Sequence, residues 1–258
     1  MNKRLSFSSL KAFSDCEAEA VAVMAGEWDR QATFSPSTIE AMNAGSYVHK
    51  YFESNKALDE FKLEHESDMF TKKGSLKSQF QIAEKMVQTL DHDPLFKTIY
   101  QGVKELEIFG KIQEIEFHGF LDCLNLERNI FIDIKTIRGS IRDKEWSEAE
   151  YRRVSWIKAR KYLWQMAIYQ EILRQSDDEK IGKNISPVIY AVTKETFPDS
   201  AGITIPQEWL DDSLDEVCEF TDKYIEVLNG RSPVRCEKCN YCKATKRNMQ
   251  TISYSDLI

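Results

Sequence analysis

Apolar positions recur at helical spacing through the first part of the chain. From Ser6 to about Met24, Leu10, Phe13 and Val21 follow a serine-rich start that can cap a helix. Ser35-Pro36-Ser37 opens a second helix, with Pro36 in the first turn, where its missing N–H costs little. Ala44, Val48 and Phe52 continue that helix. The polar run Glu64 to Lys73 reads as a loop, and Leu76 to Leu90 as a further helix that ends near Asp91-His92-Asp93-Pro94. The period then shortens to two. Glu105 to Phe109 alternates, Gly110 interrupts, and Ile112 to Leu126 alternates again through Ile115, Phe117, Phe120 and Leu124. A polar turn, Glu127-Arg128-Asn129, precedes the dense run Ile130 to Ile134, giving three sequential strands, the last buried.

Residues 137–156 read as irregular and basic, Ala159 to Leu173 as a helix, and Pro187 to Val192 as a strand, with a short strand near Ile203. Glu208 to Leu228 is a long amphipathic helix stopped by Asn229-Gly230. Together these elements predict an α/β (α+β) fold with a central mixed β-sheet flanked by helices. No repeat or linker divides the chain, so residues 1–258 are expected to form one domain. Within it, 1–100 is mainly helical, 101–206 holds the sheet and the helix that follows its buried strand, and 207–258 holds the C-terminal helix and a cysteine cluster.

Composition narrows the classes. With 42% hydrophobic and 30% charged residues over 258 positions, the chain is neither disordered nor dependent on disulfides for a core. Acidic residues outnumber basic ones 42 to 35, for a net charge of −7, so bulk charge cannot hold nucleic acid and a local basic surface is needed. No apolar run approaches the ~20 residues of a membrane span. The start MNKRLSFSSLKAF has no apolar export segment, so a cytoplasmic location, in a bacterial or phage-infected cell, is expected. The six cysteines should then stay reduced, where clustering points to metal or redox chemistry.

Gly119-Phe120-Leu121-Asp122 and Ile132-Asp133-Ile134-Lys135-Thr136 carry the most chemistry. Strand alternation puts Asp133 and Lys135 on one face and Ile132 and Ile134 on the other. A hairpin through residues 127–129 brings Asp122 beside them. Two carboxylates and an ammonium at an otherwise apolar sheet are costly unless they pair or bind a metal, and hard oxygen donors suit Mg²⁺ or Mn²⁺. An isolated D-x-K triplet is usually a solvated ion pair; its companions change that reading.

Gly-x-x-Asp followed by Asp-x-Lys resembles the PD-(D/E)xK nuclease superfamily, and further features are similar to its RecB-like branch. Gly45-Ser46-Tyr47-Val48-His49 looks like that branch's helix motif, whose histidine joins the metal sphere. Gln165-Met166-Ala167-Ile168-Tyr169 matches its Gln-x-x-x-Tyr motif, and Leu5-Ser6-Phe7-Ser8-Ser9-Leu10, with Cys16 behind it, is similar to its opening. The resemblance implies a restriction-endonuclease-like core. It assigns His49, Asp122, Asp133 and the Ile134 carbonyl to Mg²⁺ or Mn²⁺, Lys135 to the nucleophile or the transition state, and Gln165 and Tyr169 to support or DNA contact. Glu53 and Glu107 read better as solvated carboxylates.

Cys236-Glu-Lys-Cys239-Asn-Tyr-Cys242 can wrap a soft metal, with Cys16 as the fourth ligand. Iron–sulfur members of the branch join an early cysteine to three late ones around a [4Fe–4S] cluster, which would tie the two ends of the chain together; zinc is the competitor. Cys218 reads as a small hydrophobe, and Cys123 should face away from Asp122. Downstream, Arg138, Arg142, Arg152, Arg153, Lys158 and Lys161 interleave with Tyr151, Trp156, Tyr162 and Trp164, a pattern suited to phosphates and unpaired bases. Lys243, Lys246 and Arg247 could add a second contact.

The reading is a metal-dependent DNA exonuclease acting on linear ends. It resembles phage or prophage RecE-type recombination exonucleases, which implies a single-strand-annealing partner. The alternatives are an end-trimming nuclease of CRISPR adaptation and a non-catalytic, zinc-stabilised nucleic-acid-binding module.

Overall fold

The computed structural model describes residues 4–178, 181, 185–247, 251, 253 and 255; residues 1–3, the start of the basic opening, lie outside that set. In chain order the elements are β1 (Arg4–Ser6), α1 (Phe7–Asp15), α2 (Glu17–Met24), α3 (Pro36–Glu53), α4 (Asn55–Glu64), α5 (Glu66–Met69), α6 (Ser78–His92) and α7 (Pro94–Ile99). They continue with β2 (Val103–Ile112), β3 (Ile115–Asn125), β4 (Ile130–Ile137), β5 (Lys144–Ser147), β6 (Arg152–Ser155), α8 (Trp156–Ala159) and α9 (Tyr162–Arg174). Last come β7 (Ser186–Thr193), β8 (Ser200–Thr204), α10 (Gln207–Leu228) and α11 (Asn240–Ala244).

The strands β2, β3 and β4 form the expected antiparallel meander. β4 then pairs in parallel with β7 through the α9 crossover, and β8 closes the edge antiparallel to β7. The sheet is therefore mixed. Apolar residues on its two faces feed separate cores. Phe117, Leu121 and Phe131 pack with Leu10 and Phe13 of α1, Ile168 of α9 and Val217 of α10. Cys123, Ile132 and Ile134 pack with Val48 of α3, Met86 of α6 and Phe96 of α7.

One edge of β3 shapes the site. Its far edge pairs with β2 along nearly its whole length. Its near edge is shared. Glu116–His118 pair with β1, while Cys123–Asn125 pair with β4. Residues 119–122 lie between these two pairings, so the sheet forks there.

Several local expectations are corrected. The first helix is broken at Cys16, whose extended backbone (φ −161°) ends α1 and caps α2. This break turns its thiol toward the late cysteines. Gly110 does not interrupt β2, which continues to Ile112. Residues 64–73 include the short turn of α5, and 137–156 include the hairpin β5–β6, a separate two-stranded sheet. The helix expected from Ala159 begins at Tyr162, because Lys161 adopts a left-handed conformation (φ 59°) that divides it from α8.

Candidate active site

The fork gathers side chains from four elements. Asp122 stands at its mouth on β3. The ladder with β4 stops at Cys123↔Ile132, and Asp122 Oδ2 accepts the Ile134 N–H at 2.6 Å where a strand carbonyl would otherwise serve. In a strand, N–H and C=O of one residue point to the same edge, so the Ile134 carbonyl also faces the fork. His49, near the end of α3, places Nδ1 3.1 Å from Asp122 Oδ1.

Asp133 and Lys135 share a face of β4, as alternation requires, and form an ion pair at 2.6 Å. Gln165 on α9 donates from Nε2 to Asp133 Oδ1 (2.9 Å) and to the Tyr169 hydroxyl (3.2 Å), the two ends of one helical turn acting together. Because Tyr169 Oη accepts there, its own proton is left for another acceptor. Lys135 Nζ also lies 4.5 Å from the Tyr162 ring centroid. A cavity of about 430 Å³, lined by Ser6, Phe7, Gly119, Lys135, Tyr162 and Tyr169, opens the fork to solvent.

Gly119 explains the first position of Gly-x-x-Asp. A Cβ there would sit 2.3 Å from the Tyr169 ring, so only glycine lets that ring lie over the strand. The sequence pattern named the glycine but not this partner. It also missed Glu105, which lies opposite Asp122 across the β2–β3 ladder with φ 48°. Burial, with Asp122 and Glu53 adding their charge, raises the Glu105 carboxyl above its ordinary range.

Electrostatics push the two site carboxylates apart. Burial raises Asp133, and the Asp122 charge adds to it, outweighing Lys135. Burial would raise Asp122 too, but His49, by charge and hydrogen bond, together with Lys135 and the Ile134 N–H, brings it below the usual range. Burial would lower His49 and Lys135; the facing carboxylates reverse this and raise both. The pocket thus sets two carboxylates with opposite shifts against a lysine and an imidazole.

The donor set fits a hard divalent cation by its chemistry: two carboxylates, an imidazole and a backbone carbonyl. Asp133 Oδ2 and Gln165 Oε1 are buried without a well-directed hydrogen bond, the first touched only by the lysine ion pair. Such atoms are expensive unless a ligand completes them. Glu107 is exposed and Glu53 is engaged by Lys50.

A second cluster lies elsewhere. Sγ atoms of Cys16, Cys236, Cys239 and Cys242 all fall within 4.8 Å of one another, the only such His/Cys/Asp/Glu group among the described residues. Cys16 and Cys242 are 3.6 Å apart, and Cys236 and Cys242 are 4.0 Å apart. Cys123 is buried among Ile132 and Ile134, on the opposite side from Asp122, with Lys104 donating to its sulfur at 3.2 Å. Cys218 is half-buried against the other core.

The basic stretch divides. Arg152 and Lys158 are held by Glu150, and Lys161 lies 3.7 Å from Asp15 and over the Trp164 ring. Arg138, Arg142 and Arg153 are exposed, with no ion pair among the described residues. Lys243, Lys246 and Arg247 are exposed beyond the thiols.

The forked sheet, its Asp-x-Lys strand and the glutamine–tyrosine helix are those of the PD-(D/E)xK nuclease superfamily. Over residues 6–245 the chain matches the family described as a PDDEXK-like domain of unknown function, DUF3799, and it belongs to that family. No curated protein matches it. A crystal structure from Eubacterium rectale at 2.19 Å, provisionally described as an exonuclease, superposes with a TM-score of 0.85 at 29% identity. That alignment covers 99% of this chain and 92% of the other. No helix among the described residues is long and apolar enough to cross a membrane.

Proposed function

We propose that the protein is a divalent-metal-dependent DNA nuclease that hydrolyses phosphodiester bonds from linear ends. The observation that carries this reading is the fork itself, where His49, Asp122, Asp133, Lys135, Gln165 and Tyr169 converge from α3, β3, β4 and α9. His49, Asp122, Asp133 and the Ile134 carbonyl would hold Mg²⁺ or Mn²⁺, which when bound activates water and neutralises charge at the phosphoryl oxygens.

The chain's own groups do the rest. Lys135 stays protonated, because the carboxylates raise it, and supplies a fixed positive charge where the transition state gathers negative charge. Gln165 locks the Asp133 carboxylate in one orientation. Burial pushes the Tyr169 hydroxyl up to about 12, so it remains a donor, free to meet a phosphate oxygen. The end preference rests on the resemblance to RecE-type exonucleases, which also makes recombination with a strand-annealing partner the expected setting.

For the thiols, the spacing favours a single tetrahedral ion over a cubane. With metal–sulfur bonds of about 2.3 Å, four thiolates on one zinc stand about 3.8 Å apart, whereas a [4Fe–4S] cubane puts a separate iron behind each sulfur and spreads them further. We therefore read this site as zinc, reversing the order in which the sequence ranked the two.

The test is purified protein with Mg²⁺ or Mn²⁺ on end-labelled linear DNA and on covalently closed circles, beside Asp133→Asn and Lys135→Ala. Shortening of linear DNA alone, lost in both variants, is expected. Equal survival of DNA with all three proteins would sink the enzyme reading. Elemental analysis of anaerobically purified protein checks the thiol site; iron with acid-labile sulfide would reject zinc.

A further inference from the structure

Beyond the fork, at the C-terminal ends of the parallel pair β4–β7, lies a cavity of about 480 Å³ that no catalytic residue lines. Arg138 follows β4 and Lys194 follows β7, and the Lys194 N–H donates to the Ile137 carbonyl at 2.7 Å, so the two cations emerge side by side. Arg160 closes the same cavity, and Ser37 and Thr38 from the first turn of α3 line its other wall.

Positive charge there is under-compensated. Lys194 Nζ donates to the Ala41 carbonyl at 2.9 Å and has no carboxylate partner among the described residues. Arg138 has no ion pair or hydrogen bond among the described residues. Arg160 is paired with Glu145. The one acidic lining residue, Glu40, is exposed. Burial, with Arg160 and Arg138 adding repulsion, lowers Lys194 to about 8. Like charges brought together beside a helix's positive end are costly without an anion to complete them.

We infer that Arg138, Lys194, Arg160 and the α3 first turn form a subsite for a nucleic-acid phosphate other than the one being cut. This rests on the nuclease reading of the fork. Two observations favour a phosphate on a strand over a free small anion. Thr136, lining the cavity, turns its hydroxyl to the α3 face of β4, opposite Lys135, and α3 is the helix whose His49 reaches the fork. The wall residue Ala41 is eight residues before His49 on α3, about 12 Å along the helix. A strand held here is thus positioned along α3 for cleavage at the fork. Carboxyl ends of parallel strands are also the usual ligand-binding edge of such sheets.

The subsite could take a terminal phosphate or an internal phosphodiester, and end chemistry separates them. Arg138→Gln, Lys194→Gln and Glu40→Gln are each placed in an Asp133→Asn background, so that DNA is bound but not cut. Binding of labelled oligonucleotides with 5′-phosphate, 3′-phosphate or hydroxyl ends is followed by anisotropy across a salt series. Loss of either cation should weaken binding roughly tenfold, the size of one charge-assisted bond, and flatten the log–log salt slope by about one. Glu40→Gln should tighten binding. An effect confined to one phosphorylated end identifies a terminal-phosphate pocket; an equal effect on all ends identifies a backbone contact.

Arg138 is exposed and has no ion pair among the described residues, so its variant keeps the test valid if Lys194→Gln fails to fold. Unchanged affinity and salt slope in Arg138→Gln with every end overturns the subsite. Cleavage by the unaltered chain, assayed separately, reports on the nuclease reading, so the two failures are told apart.

Discussion

Each polar group of the fork stands on an element with its own core. Asp133 and Lys135 flank Ile134, which is fully buried, His49 follows the buried Val48, and Gln165 and Tyr169 lie on a helix buried through most of its length. In the thiol cluster, by contrast, three of the four cysteines stand on one seven-residue stretch, Cys236 to Cys242. Its apolar support among the described residues is small: Ala18 and part of Tyr241, whose ring meets Trp28 edge-on. Side-chain and backbone bonds help: Arg231 forks onto Glu17 at 2.9 and 3.1 Å, and the Val234 N–H donates to the same carboxylate. Even so, the C-terminal segment has little to hold it if the sulfurs let go. The fork should therefore exist before its metal arrives, whereas the clamp's order should depend on its metal.

The largest effect tests the first half of that contrast. Asp133→Asn and Lys135→Ala should each lower cleavage by about 10³-fold, while far-UV circular dichroism stays near the parent's. The thermal midpoint should hold in Asp133→Asn and fall in Lys135→Ala, which strips the buried carboxylates of their cation. Chelating Mg²⁺ should stop cleavage with the fold intact. A large fall in midpoint on chelation of Mg²⁺ alone would show that the fork is not preformed.

The next effect tests the second half. Cys16→Ser removes the ligand on the early helix and should cost on the order of 3 kcal/mol, releasing residues beyond about 230 to proteolysis and dropping zinc content. Cleavage at low temperature should persist, since no clamp residue reaches the fork. Loss of activity with the C-terminal segment still protected would mean the two regions are coupled after all.

How much of this the sequence disclosed follows the same division. Alternation in Ile130 to Ile134 and the turn before it already located the Asp-x-Lys face, because side-chain direction in a strand is set by parity. The fork was not legible. It arises because β1, a three-residue strand with no periodicity of its own, takes the edge of β3 that β4 gives up. Cys16 was legible as a partner of the late thiols, yet its cost was not: reaching them breaks a helix that the apolar spacing continues straight through. Tertiary demand overrode local preference at both places. The hairpin β5–β6 was hidden for a related reason. Its charged and aromatic residues pair mostly with one another and with α8, and little of it is buried.

A smaller effect probes the fork's precision. Gly119→Ala would force a methyl into the Tyr169 ring, costing about 1–3 kcal/mol as overpacking. Cleavage should fall with the displaced hydroxyl. Tyr169→Ala should itself reduce activity but, combined with Gly119→Ala, should recover much of the lost thermal stability. If the double variant is as unstable as the sum of the singles, the contact between glycine and ring is not the cause.

The smallest effect belongs to neither region and serves as their control. Asp93 caps α7 through the Leu95 and Phe96 N–H groups and accepts from Tyr190 on β7 and Ser200 on β8. Burial raises its carboxyl, but the Tyr190 and Ser200 hydroxyls and the two amides outweigh it and hold it below the ordinary 3.8. A depressed carboxyl stabilises the fold fully above its unfolded value, and that stability is lost as pH falls through the folded one. Asp93→Asn keeps the cap geometry and loses the charge, so it should cost about 1 kcal/mol at pH 7. The difference from the parent should shrink below the ordinary carboxylate range. Urea midpoints of both proteins at neutral and strongly acidic pH measure this directly. Because Asp93 touches neither the fork nor the thiols, cleavage rate and zinc content should stay at the parent's values while stability moves. A change in either would mean that global stability, rather than local support, separates the two sites.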